Sequence, residues 1–337
     1  MRSLHKYMRT IEFSKVQSRK EIQALIKSCV LDHSSRTLTT NGEDTMLAIY
    51  CKDFAPGMGI AICGELDEKN SFTYDYYYPY LQSDQISSTE DITIERHAAR
   101  ESYAGVCDDL RVGVSLIFYL QNMIDYIRIK NSNRLPIRGT TLCLSALSTE
   151  GSILMPINKN EHQKESIRKK SISRNRLLQA ARKGDEEAIE SLTLDDMDTY
   201  SSISRKIHNE DVFSIVDTYF MPYGVECDQY SVLGEIQNCR LVENNFTGEK
   251  VYQLTIDCNE LIFDVCINEA DVFGEPQAGR RFKGIIWLQG YIILISYLST
   301  QRFKHFIFAS LINNPLSSLS YALAYISSGL MLFSSIF

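Results

Sequence analysis

Apolar residues recur at helical spacing in SRKEIQALIKSCV, where Ile22, Leu25, Ile26 and Cys29 share one face and Ser18 stands where an N-cap belongs. A short amphipathic helix is therefore expected near the start of the chain. The period then drops to two. TMLAIYC, GMGIAIC and SFTYDYYYPYL are β-branched and aromatic runs parted by Pro, Gly and charged residues, the pattern of antiparallel strands. LRVGVSLIFYLQNMIDYIRI begins by alternating and then carries Leu116, Leu120, Ile124 and Ile127 as a helical stripe, which predicts a strand passing into a helix. TTLCLSAL and SILMPI read as two strands joined by a hairpin turn at Thr149-Glu150-Gly151.

From Asn158 to about Asn209 the pattern is helical. EHQKESIRKKSISRNR is polar and basic, as a solvated linker or the exposed start of a helix is. RLLQAAR ends at Gly184, a natural C-cap, and Asp185, Glu186 and Glu187 suit the N-terminal dipole of the next helix. Thr193 with Asp196 reads as a capping box opening a further helix, with Met197, Tyr200, Ile203 and Ile207 as its buried stripe and Arg205, Lys206 and His208 in its last turn. LLQAARKGDEEAIESL looks like one ankyrin-type helical pair, but it occurs once, and solenoids need several stacked copies.

Residues 212–292 alternate as an all-β region. Tyr252, Leu254, Ile256 and Cys258 share one face of VYQLTIDC, and Leu261, Phe263, Val265 and Ile267 share one face of LIFDVCI. Gly279, Gly284 and Gly290 punctuate GRRFKGIIWLQG as glycines do at barrel bends and bulges. The expected architecture is α+β: a mixed antiparallel-sheet domain over 1–157, a helical connector over 158–210, a small five-stranded β-barrel of OB-like type over 211–292, and an apolar tail over 293–337.

A length of 337 residues fits two cores, and 44% hydrophobic with 23% charged residues is ordinary for a folded protein. The net charge of -7 disfavours a broad phosphate-binding surface. Nine scattered cysteines without a CxxC pair suit neither a disulfide framework nor a zinc knuckle, so most are expected in the core of a protein kept in a reducing compartment. MRSLHKYMRTIEFS lacks the apolar core of a signal peptide, so a cytoplasmic location is expected and the sequon at Asn245 reads as the turn of ENNFTGEK. After Leu294 acidic residues vanish, and Lys304 is the last Lys or Arg. A tail anchor in the cytoplasmic membrane through about 306–337 is one reading. An aberrant or lineage-specific extension is preferred, because the many serines make a span marginal.

The densest polar cluster contains Glu95, His97, Glu101 and Asp108. If ERHAARE were helical, His97 and Glu101 would lie four apart on one face and could share acid-base work or a metal. Metal sites want three or four converging ligands, so a helix-surface ion-pair network is preferred, and no metal or other cofactor is assigned. Tyr76 and Tyr78, in a run that also holds Tyr74, Tyr77 and Tyr80, could stack on a flat ligand, although alternation suggests that one set packs inside. Gly57, Gly59 and Gly64 miss the GxGxxG spacing, and no Walker motif, GxSxG elbow or catalytic Cys-His spacing is present. Lys164, Arg168, Lys169, Lys170, Arg174 and Arg176, together with Arg280, Arg281 and Lys283 of the barrel, make the best case for single-strand nucleic-acid binding; overall acidity favours a protein partner instead.

CGELDE from Cys63, DYYYPYL from Asp75, ITIERHAARESYAGVCDDLRVGVSLIFYLQN from Ile92, the long run RNRLLQAARKGDEEAIESL from Arg174 and GRRFKGIIWLQGY from Gly279 together resemble a family of cytosolic proteins from anaerobic clostridial bacteria, classed only as a domain of unknown function. The resemblance runs from about His5 to Ile292 and implies a bacterial cytoplasmic setting, but carries no site residues with it. The tail is the departure. The leading expectation is a non-enzymatic module that binds a protein or small ligand, with Tyr76, Tyr78, Arg280 and Arg281 as candidate ligand-binding residues. The alternatives are a metal-dependent or hydrolase-type enzyme centred on Glu95, His97, Glu101 and Asp108, and single-strand nucleic-acid binding by the barrel; membrane contact depends on the tail.

Overall fold

Ser18 closes a capping box: its hydroxyl accepts from the Glu21 amide at 3.2 Å while the Glu21 carboxylate accepts from the Ser18 amide at 3.0 Å, fixing the start of helix α1 (Arg19–Leu31). The computed structural model describes residues 5–16, 18–40, 46–97, 102–132, 140–157, 161–207 and 211–293; both readings of the tail lie outside them. Ile22, Leu25, Ile26 and Cys29 of α1 are buried against an antiparallel four-stranded meander: β1 (Ser35–Thr40), β2 (Met46–Ala55), β3 (Met58–Leu66) and β4 (Phe72–Leu81). In β4 Tyr76, Tyr78 and Tyr80 are buried on one face and Tyr77 is partly exposed on the other, while a bulge at Asp75 breaks the period before Tyr76 and leaves Tyr74 partly exposed.

The chain continues through β5 (Ile92–Arg96), β6 (Tyr103–Asp109), β7 (Val114–Leu120), α2 (Met123–Asn131) and β8 (Thr141–Leu154), so the expected strand-to-helix passage is found. Helix α2 returns to the meander, where Arg128 Nε donates to the Leu38 carbonyl at 3.1 Å and Asn131 to that of Thr40 at 2.8 Å, covering the open edge of β1. Two helices, α3 (Glu161–Arg182) and α4 (Glu186–Ile207), and the single turn α5 (Val212–Ile215) precede β9 (Tyr219–Pro222), β10 (Gln229–Glu243), β11 (Lys250–Cys258), β12 (Leu261–Asn268), β13 (Val272–Phe273) and β14 (Arg281–Ile293).

Strands β10, β11 and β12 form a meander, β14 pairs antiparallel with β10, and β8 closes the ring by pairing with β14 and, in parallel, with β12. The result is the expected closed five-stranded barrel, but its closing strand comes from the N-terminal half of the chain. On its other side β14 pairs in parallel with β7, which leads to β6 and β5, so strands from 1–157 and from 211–292 share one sheet. The described residues up to Ile292 belong to one compact unit.

Two local expectations are corrected. Thr149-Glu150-Gly151 is no turn: it lies inside the single 14-residue strand β8. Gly151 is there because a Cβ would come within 2.5 Å of the Phe282 ring and 2.9 Å of Ile267, so glycine marks close packing in the barrel. Thr193 opens no helix either; it sits inside α4, and its hydroxyl donates to the Ile189 carbonyl at 2.8 Å. The α3–α4 junction is as expected, with Gly184 at φ +86° and the Asp185 carboxylate accepting from the Ala188 amide at 3.2 Å.

The N-terminal strap, which lacks the apolar run of a signal peptide, is core itself. A 3-10 helix over Lys6–Ile11 and the following residues place Met8, Ile11 and Phe13 at 0% exposure among β4, β8 and β12. Its carbonyls are taken up by barrel side chains: Asn244 Nδ2 donates to Ile11 at 2.7 Å and Asn268 Nδ2 to Arg9 at 3.3 Å.

Strand β4 is the edge of its sheet, and the backbone groups on its open side are buried against the barrel. Pro79 presents no N–H there. Its carbonyl accepts from Gln289 Nε2 at 2.9 Å, the Leu81 amide donates to Gln289 Oε1 at 3.4 Å, and the Leu81 carbonyl accepts from Gln121 Nε2 at 2.8 Å and from the Ser145 hydroxyl at 2.5 Å. Gln121 also donates to Gln289 Oε1 at 2.9 Å. Gln289→Leu would leave the Pro79 carbonyl, the Leu81 amide and a Gln121 N–H buried without these partners; we expect a loss of about 3 kcal/mol in urea unfolding, with an unchanged m-value.

Candidate functional site

The helix on which the acid-base reading depended is replaced by a hairpin. Glu95 and Arg96 end β5, Tyr103 begins β6, and Arg96 pairs with Tyr103 across the ladder. The strand period put isoleucines on alternate positions of ITIER, a signal that the polar tail of the segment outweighed. His97 lies at the hairpin end, its amide donating to the Ser102 carbonyl at 2.9 Å and its Nδ1 3.0 Å from the Ser102 hydroxyl. Asp108 stands at the other end of β6, accepting from the Ser115 hydroxyl at 2.5 Å. Six residues of extended chain, about 20 Å, separate it from Ser102, so Asp108 and His97 do not meet. Glu101 lies outside the described residues. Among those described, no three His, Cys, Asp or Glu side chains converge as metal ligands.

Tyr76 and Tyr78 face inward. The Tyr76 hydroxyl donates to Met123 Sδ at 3.6 Å and accepts from Tyr119 at 3.4 Å, while Tyr78 donates to the Gln121 carbonyl at 3.3 Å. Burial pushes both phenols well above their ordinary range, so they act as neutral donors. Their rings continue an aromatic spine: Tyr78 to Tyr119 at 4.6 Å, Tyr119 to Trp287 at 5.4 Å, and Trp287 stacked on Tyr7 at 5.1 Å. The Trp287 indole donates to Asp228 at 2.6 Å.

Arg281 is 5% exposed and works as an internal fastening. Its guanidinium donates to the carbonyls of Met155 at 3.0 Å, Phe213 at 2.7 Å and Val216 at 2.9 Å, which lie just before α3 and just after α4. Burial lowers its pKa. Lys283 sits 4.3 Å from the centre of the Phe213 ring, and Arg280 donates to the Glu275 carbonyl at 2.7 Å. The three barrel cations thus grip their own chain, and Arg281 holds both feet of the α3–α4 hairpin.

The hairpin so rooted is the candidate surface. α3 and α4 have 22 residues each, about 33 Å of helix, and pack chiefly against one another. Ala188 and Leu192 of α4 are buried, and Arg174 pairs with Asp196 across the hairpin at 2.9 Å. Met197 and Tyr200, two members of the expected buried stripe, are instead 62% and 74% exposed, because the seam with α3 runs through Ala188 and Leu192, and Met197 lies on the opposite face of the helix from Ala188, nine residues on. Ile189 at 47% and Leu194 at 57% join them. An apolar row left in water on a two-helix arm makes this the candidate surface among the described residues.

A second unusual group is Glu12, 2% exposed and in a left-handed conformation at φ 71°. Burial, then a hydrogen bond shared with Glu249, pushes its carboxyl up to about 8, while that bond and Lys15, 2.6 Å from Glu249, hold Glu249 below its ordinary value. The pair is legible only in three dimensions, since Glu249 lies in the turn between β10 and β11.

Folded Glu12 keeps its proton to about pH 8 whereas an unfolded glutamate releases it near 4.5, so the folded state binds more protons between these values and stability declines as pH rises through them. Glu249 acts below that window. Glu12→Gln should therefore flatten the fall of Tm between pH 5 and 8 and be the more stable form at pH 8, as thermal melts across that range would show. Arg281→Met should loosen the root of the arm: limited proteolysis is expected to cut faster on either side of the hairpin, with the far-UV circular dichroism of the barrel retained.

No curated protein and no solved structure matches the chain. A family model does: the one described as a domain of unknown function, E. rectale gene description (DUF3881), aligns with residues 8–290, from the buried strap to the last turns of β14. That span takes in the strap, the meander, the barrel and the arm, and with it the chain belongs to the DUF3881 family.

Proposed function

We propose that this protein is a binding module whose working surface is the α3–α4 arm, held out from a rigid base formed by the meander and the barrel. The observation that carries this reading is the exposure of Ile189, Met197 and Tyr200 along one face of a helix whose opposite face is packed, with Leu194 exposed beside them. Isolated apolar residues at a surface are ordinary, but a row at helical spacing costs solubility unless something covers it. The base supports the reading in kind: its Gln289 and Arg281 are turned inward, the Tyr76–Tyr78–Trp287 spine is filled with side chains, and Arg281 serves the root of the arm. A helix presenting i, i+3 and i+4 anchors is a standard way to engage another protein.

A photo-crosslinking residue placed at Tyr200 is expected to give a protein adduct in intact cells, whereas the same residue at Phe273, 81% exposed on the barrel, gives none. Equal labelling from both positions, or adducts from Phe273 alone, would place the working surface elsewhere.

A further inference from the structure

The row on α4 has a direction as well as an apolar character. Ile189, Met197 and Tyr200, with Thr193 between the first two, follow one another at spacings of four, four and three, a single stripe about 16 Å long, and Leu194 lies beside it. Charge changes sign along the arm. The half near the tip holds Asp185, Glu186, Glu187, Glu190, Asp195 and Asp196, which outnumber Arg174, Arg176, Arg182 and Lys183. Among the described side chains, the half near the root holds Lys169, Lys170 and Arg205 against Glu165 and Asp198. The arm is thus acidic at its tip and basic at its root.

We infer that the occupant of this face is a second copy of the chain, with the two arms antiparallel and α4 packed on α4 about a two-fold axis near Leu194-Asp195. This rests on the reading of the arm as a binding surface and names its partner. The pattern suits a copy of itself because a two-fold pairing must be self-complementary. Antiparallel arms bring each acidic tip to the other's basic root and set Ile189 of one copy opposite Tyr200 of the other. Glu186 and Glu187 then come within about a turn of the second copy's Arg205. A parallel pairing would set root on root and tip on tip, like charge against like. With α3 on the outer side of each α4, the pair becomes a four-helix bundle, which covers the stripe from end to end. The pairing is closed and cannot propagate into a filament.

Sedimentation equilibrium of the full chain tests this. The wild type is expected at twice its 38.5 kDa mass, and Tyr200→Glu, a substitution at a 74% exposed position, at the single mass with unchanged circular dichroism. Reversing the tip pair (E186K/E187K) or the root pair (R205E/K206E) should weaken the dimer about tenfold, and all four changes together should restore it to within about threefold. A wild type that stays monomeric at roughly 100 μM in low salt overturns the inference. So does a dimer that Tyr200→Glu leaves intact, or a fourfold variant as weak as either pair alone. The outcomes separate the two readings: a monomer whose Tyr200 position still crosslinks to a different protein in cells removes the second copy and keeps the arm as a surface. A monomer with no adduct at Tyr200 removes both.

Discussion

The fold turns on an edge. A four-stranded meander has an open side at β4, and here that side is neither in water nor paired with another strand but pressed against a barrel. Every amide and carbonyl along it must find a partner or cost folding energy. At Pro79 and Leu81 two glutamine side chains and one serine supply them. Gln289, fully buried, meets the Pro79 carbonyl and the Leu81 amide, and Gln121 with Ser145 meets the Leu81 carbonyl. Side-chain amides can do this because each carries both donors and an acceptor, and Pro79 reduces the demand by bringing no N–H. Asn122 extends the device, exchanging two hydrogen bonds with the backbone of Ile292 at 2.8 and 3.1 Å. The position of the meander, and with it that of the tyrosines on its inner face, follows from this network.

Similar logic recurs wherever distant parts of the chain meet. The strap at the N-terminus has its carbonyls satisfied by Asn244 and Asn268, and the feet of the helical arm have theirs satisfied by Arg281. At the β6–β7 turn burial pushes the Asp109 carboxyl up, but Arg111 and Ser88 outweigh it and hold it below its ordinary value; Arg111 also reaches the carbonyls of Ser87 at 2.6 Å and Glu260 at 2.7 Å. Buried polar residues here are ties between segments. That explains why the conspicuous candidates for chemistry, the tyrosine run and the arginines of GRRFKG, lie largely inside the base.

The arm is different in kind. Its two helices satisfy their own backbones, so no network is needed along their length, and fastening at the root is enough. A surface that owes nothing to the base along its outer length is free to carry apolar residues and to distribute charge for an external contact. On the proposed reading the base is a scaffold and the arm its working part.

Local periodicity determined a good deal by itself. Helix α1 and its cap, three of the four strands of the meander, the alternation within β4 from Tyr76 on, the passage from β7 to α2, the Gly184 junction and the barrel strands β11, β12 and β14 follow from spacings of two or three to four residues, which backbone geometry enforces whatever the surroundings. Tertiary structure decided the rest. A glycine next to a glutamate looks the same whether it turns the chain or makes room for Phe282, so Gly151 was read as a turn. An apolar stripe on a helix looks the same whether it faces a neighbour or water, so Met197 and Tyr200 were placed inside. The sequence of ERHAARE could not show that Glu95 and Asp108 would sit in a ladder holding Asp108 far from His97. Nor could it show that β8 closes the barrel or that Glu12 meets Glu249. Periodicity reports which residues share a face; what that face meets is set by contacts between residues far apart in the chain.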